Sequence, residues 1–174
     1  MGVFYVHLKD IVSNEDRPYF NNNGIGTVAG KVVNLLESYF KPAVEKSKLF
    51  DSVAVRWSPD NYAPVLSVTD VIVYVVPDIH KSVIAANGGT IAIAEANTNI
   101  LGLTDLNARI CEVYFDRTYQ YSAKELAGAA YHEIAHIKAD LDDFLHNGQN
   151  GFLGAAPDYN GSPSTKNTDT MANH

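Results

Sequence analysis

Val71, Ile72, Val73, Tyr74, Val75 and Val76 form an unbroken apolar run, and Pro77 closes it. A strand with one wet face alternates apolar and polar residues, so a continuous run marks a central strand buried on both faces. Such a strand needs partner strands beside it and packed layers over it. The chain is therefore organised around a sheet.

The other elements are read from their periods. Val3 to Val12 reads as a first strand, with Phe4, Val6 and Leu8 on one face. Residues 13–26 are polar and rich in Asn and Gly, and read as a loop. Residues 27–40 have helical period, with a stripe of Val28, Val32, Leu35, Leu36, Tyr39 and Phe40. Pro42 is expected to kink or end that helix, with a last turn reaching about residue 48. Residues 52–57 read as a second strand, 90–95 as a fourth after Gly88 and Gly89, and 112–116 as a fifth. Ser122 and Glu125 form a capping box for a helix over 123–138. Beyond Asn147 the chain is rich in Gly, Pro, Asn, Ser and Thr and reads as irregular to its end. The expected fold class is α/β (α+β): a twisted, mixed five-stranded sheet with two main helices and an irregular C-terminal part.

A chain of 174 residues is read as a single domain, with an upper part over about 1–138 and a short lower part over about 139–174. The formal charge of −7 and the lack of any Lys/Arg cluster argue against a nucleic-acid partner. No stretch reaches the length of a membrane span. Cys111 is the sole cysteine, which rules out an intrachain disulfide and suits a small buried residue. The N-terminus has no signal-peptide pattern, which does not fix where the chain works, and a secreted bacterial protein or an excised domain is expected over a cytoplasmic one. Nothing in the sequence sets the oligomeric state.

The chemistry is concentrated in His132, Glu133, Ile134, Ala135 and His136, an H-E-x-x-H pentad within an apolar helix. Residues four apart share a helix face, so both imidazoles can reach one metal ion. Glu133 between them can act as a general base on a water at that metal. Two buried histidines satisfied by hydrogen bonds are the plainer reading, but a glutamate buried between them would then be a needless cost. A hydrolytic zinc takes three protein ligands and leaves a position for water. Asp142, His146 and Asp158 are the candidates for the third place. No glutamate follows Glu133, which removes a thermolysin-like ligand set. Asp140, four residues past His136, suits a supporting bond to a ligand histidine or a solvated helix end. His7, His80 and His174 have no ligand spacing and are expected at the surface.

The pentad followed by Asp142, six residues after His136, resembles the extended zinc-binding motif of the metzincin metallopeptidases, in the aspartate variant of snapalysin-like members. The resemblance implies His132, His136 and Asp142 as Zn2+ ligands and Glu133 as general base. It also implies a methionine in a tight turn beneath the metal, for which Met171 is the candidate. The order of elements is similar to the family's upper subdomain, whose fourth strand lines the cleft and could pair with an extended peptide substrate. Ala139 stands where the family has glycine. Either the turn is built differently there, or the helix runs on and Asp142 is no ligand.

The function expected on this resemblance is zinc-dependent endopeptidase activity on a peptide or protein substrate. The alternatives are a metal hydrolase or toxin domain acting on a non-protein amide, and an inactive metal-binding module.

Overall fold

The computed structural model describes residues 2–11, 27–59, 67, 69–76, 82–86, 101–115, 123–139, 151–153 and 161–174. Five strands, β1 (Gly2–Asp10), β2 (Phe50–Pro59), β3 (Val71–Val76), β4 (Gly102–Asp105) and β5 (Ile110–Tyr114), form one mixed sheet in the order β2-β1-β3-β5-β4. The apolar run is β3, and it is the central strand. Val73 pairs with Leu8 on one side and with Cys111 on the other. β2, β1, β3 and β5 run parallel, while β4 returns antiparallel beside β5.

Parallel neighbours require a long crossover. Helix α1 (Val28–Lys46) makes the one between β1 and β2. Thr27 starts it by accepting the Gly30 N–H through its hydroxyl, at 3.1 Å. Pro42 lies within α1, which ends at Lys46. A short helix α2 (Val83–Ala86) follows β3, and α3 (Ala123–Lys138) follows β5 with the bounds its period predicts.

Both long helices cover the same face of the sheet. Phe4, Val6 and Leu8 of β1, Val71, Val73 and Val75 of β3, and Cys111 and Val113 of β5 meet α1 and α3 in one core. Val32, Leu36 and Phe40 come from α1, and Leu126, Tyr131 and Ile134 from α3. Each such side chain, fully buried, contributes about 1.5–3 kcal/mol. The opposite face is covered unequally. Val76 and Tyr114 are buried there beside Val83 and Leu103, but Ile72 and Tyr74 are only half-buried. The unbroken run thus reports a central strand more faithfully than it reports two equally dry faces.

Two expectations change. β4 was not foreseen, because four residues beginning with glycine carry no strand period. The strand expected over 90–95 lies outside the described residues. Residues 165–172 are helical, not irregular: α4 (Thr165–Ala172) opens on a capping box between Ser164 and Asn167. Its Thr and Asn residues are weak helix formers, and packing holds it instead. Asn167, Thr168 and Met171 are buried, and Lys46 of α1 meets Asp169 at 2.7 Å. Among the described residues, no helix is long and apolar enough to cross a membrane.

Candidate metal centre

Helix α3 presents an apolar face to the sheet, so its register is set by burial. That register leaves His132 partly exposed and His136 and Glu133 buried, each at 8% exposure. The two imidazoles come together, with Nε2 of His132 3.3 Å from Nε2 of His136. Two zinc–nitrogen bonds of about 2.0–2.1 Å at the tetrahedral angle hold their nitrogens about 3.3 Å apart. The pair therefore has the spacing of two corners of a zinc tetrahedron. The same separation admits an N–H of His136 donating to His132.

The other ring nitrogen of His132 is engaged. A one-turn 3-10 helix, Gly151–Leu153, crosses beside α3, and the carbonyl of Phe152 lies 2.6 Å from His132 Nδ1. A carbonyl only accepts, so Nδ1 carries the proton. In the neutral ring Nε2 is then bare and directed at His136.

Glu133 faces the sheet. The Thr104 hydroxyl on β4 lies 2.6 Å from its Oε2 and 3.1 Å from its main-chain carbonyl. Gly102 lets the helix come this close, since a Cβ there would lie 2.7 Å from Glu133 Cγ and 2.5 Å from the Glu112 carbonyl. The strand is delivered by a tight return. Asp105 accepts the N–H groups of Asn107 and Ala108, and Arg109 takes a left-handed conformation at φ 54° before β5 begins. Asp105 and Asn107 are the one local signal that could have located this hairpin.

Of the residues named from sequence, the structure brings together His132 and His136, with Glu133 on the same helix and bonded to Thr104. Asp142, His146 and Asp158 lie outside the described residues, as do Asp140, His80 and Ser122. At Ala139 the helical bond persists, its N–H reaching the Ala135 carbonyl at 2.9 Å. Among the described non-glycine residues only Arg109 has a positive φ. The left-handed turn that glycine permits is therefore not made at position 139. Met171 sits within helix α4, packed in the main core, and not in a tight turn. Among the described residues, no group of three or more His, Cys, Asp or Glu is gathered for a metal.

Two buried polar clusters lie elsewhere. His7, expected at the surface, is 5% exposed, and its Nε2 lies 3.3 Å from Asp70 Oδ2. Burial pushes the Asp70 carboxyl up, but bonds from the Ser67 side chain and main chain, together with His7, outweigh it and leave it below the usual range. Glu112 on β5 is fully buried. It accepts the N–H groups of Val83 and Ile84 at 2.9 and 3.3 Å, the Tyr114 hydroxyl at 2.7 Å and the Ser82 hydroxyl. It thereby ties the first turn of α2 to the sheet. Cys111 is buried as expected, and burial, with Glu133 and Glu112 adding to it, pushes its thiol well above the usual range.

Compared with protein-family models and with curated proteins, the chain matches none.

Proposed function

We propose that the chain is a zinc-dependent peptidase. The observation that carries the reading is the Nε2–Nε2 separation of 3.3 Å between His132 and His136 on a helix that also bears Glu133. The engagement of His132 Nδ1 by a main-chain carbonyl supports it, because that bond turns a bare nitrogen toward the metal position. Zinc supplies Lewis-acid polarisation of a carbonyl and of water.

His132 and His136 are two of the ligands, and Asp142 is the third that the resemblance implies. Glu133 takes the proton of the attacking water and passes it to the leaving amine. Thr104 orients that carboxylate. Among the described residues the antiparallel strand β4 is last in the sheet order, and it touches Glu133 through Gly102 and Thr104. An extended peptide laid along this side of the sheet would pass the general base, a form of β-augmentation.

The test is zinc content together with cleavage of unfolded protein substrates by the chain and by its Glu133→Ala variant. The expected result is stoichiometric zinc in both and chelator-sensitive cleavage only in the parent. Full cleavage by Glu133→Ala sinks the mechanism. Stoichiometric zinc with no cleavage of any peptide library sinks peptidase activity and leaves a metal-binding module.

A further inference from the structure

We propose that Asn167 is a positioning residue for His132, acting through the main chain of Phe152. The inference rests on His132 being a metal ligand. Asn167 is fully buried in the first turn of α4. Its Oδ1 accepts two main-chain N–H groups at 3.1 Å each, one from Ser164 and one from Phe152. The first closes the cap of α4. The second reaches 15 residues back along the chain to the segment whose carbonyl holds His132.

Phe152 is held by its main chain and by its ring. Its N–H is held by Asn167, and its carbonyl is bonded to His132 Nδ1 at 2.6 Å. Its ring is clamped edge-on against Tyr39 and Tyr131, at 5.1 and 5.7 Å between centroids. The approach is close enough that a Cβ on Gly151 would lie 2.8 Å from Asn167 Oδ1, and Gly151 takes a φ of 61° that suits glycine. The N–H and the carbonyl of Phe152 lie in the two peptide planes that flank its Cα, so the bond to Asn167 and the clamped ring together hold that Cα and restrict how far the carbonyl can swing from the imidazole. That direction selects the Nδ1–H tautomer of His132 and leaves Nε2 as the donor atom toward His136. Removing Asn167 loosens the main chain on one side of Phe152, and with it the direction of the carbonyl that selects the tautomer.

The experiment uses the full chain, 15N-labelled and metal-free, at a pH where the rings are neutral. Long-range proton–nitrogen correlation spectra report which ring nitrogen of His132 carries the proton. Zinc affinity is measured separately by competition with a chromophoric chelator. The parent chain is expected to show His132 protonated on Nδ1. Asn167→Ala is expected to populate the Nε2–H form and to weaken zinc binding by about 10–100-fold. Asn167→Asp keeps the acceptor oxygen and is expected to restore the parent tautomer. Ser164→Ala removes the capping hydroxyl of the same helix but leaves the bond to Phe152. It is expected to lower stability without moving the tautomer, which separates positioning from loss of α4.

The proposal is overturned if the parent carries the His132 proton on Nε2. It is also overturned if Asn167→Ala keeps the parent tautomer, or if Ser164→Ala shifts it as far. A parent chain that binds no zinc but shows the expected tautomer changes would remove the peptidase reading and support the positioning role of Asn167.

Discussion

The Thr104 hydroxyl on β4 donates to the Glu133 carboxylate at 2.6 Å, so the antiparallel strand beside β5 holds the central acid of the pentad. The two residues are 29 apart in the chain. The contact depends on Gly102 two residues earlier, where the absence of a side chain lets α3 approach β4.

Thr104→Val keeps the shape and removes the donor. A hydrogen bond to a charged group is worth about 1.5–3 kcal/mol. If it orients the general base, kcat falls by about 10–100-fold. Zinc affinity stays unchanged, because the histidines are untouched. Thr104→Ser, which retains the hydroxyl, keeps most of the rate. Steady-state kinetics with a zinc titration on the three proteins decides this, and an unaltered kcat in Thr104→Val removes Thr104 from the site.

Gly102→Ala forces a methyl group against the Glu112 carbonyl and the Glu133 side chain, at 2.5 and 2.7 Å before relaxation. Overpacking of this kind destabilises by about 1–3 kcal/mol. A lower urea midpoint at an unchanged m-value is the expected readout. A parent-like midpoint would mean that α3 moves away from β4 at no cost.

Glu112→Ala strips the acceptor from two N–H groups and two hydroxyls in a buried setting. We expect a loss of about 2–4 kcal/mol, and a smaller one for Glu112→Gln, which keeps one carbonyl oxygen. Thermal unfolding compares them, and equal stability of the two variants would count against Glu112 as the anchor of α2.

Alkaline pH should weaken the fold. Burial pushes the phenols of Tyr39, Tyr131 and Tyr114 above their ordinary value, and for Tyr114 the Glu112 carboxylate adds to it. In the unfolded chain a tyrosine ionises near pH 10. The folded state then binds more protons than the unfolded state, so stability is complete below about pH 10 and is lost as the pH rises beyond it. Each buried tyrosine contributes a slope of up to ~1.4 kcal/mol per pH unit. Urea melts between about pH 9 and about pH 11 measure it, and Tyr131→Phe should flatten the slope. An identical slope in that variant would place Tyr131 in contact with solvent.

Much of this was legible in the chain before any coordinates. The run at Val71–Val76 identified the centre of the sheet, the period of residues 123–138 identified α3, and the four-residue spacing of His132 and His136 placed them on one face. These signals are local, because strand and helix geometry repeats every two or about 3.6 residues. What only the tertiary structure decided is what surrounds the pentad. Thr104 reaches Glu133, the Phe152 carbonyl reaches His132 from 20 residues away, Asn167 accepts the Phe152 N–H, and His7 is buried on Asp70 from 63 residues away. None of these pairs shares a period. Each depends on which strands lie side by side and where the C-terminal segments pack on α3. Helical repeat set the histidine pair, and the packing of distant elements set which ring nitrogen of His132 faces His136 and what holds Glu133.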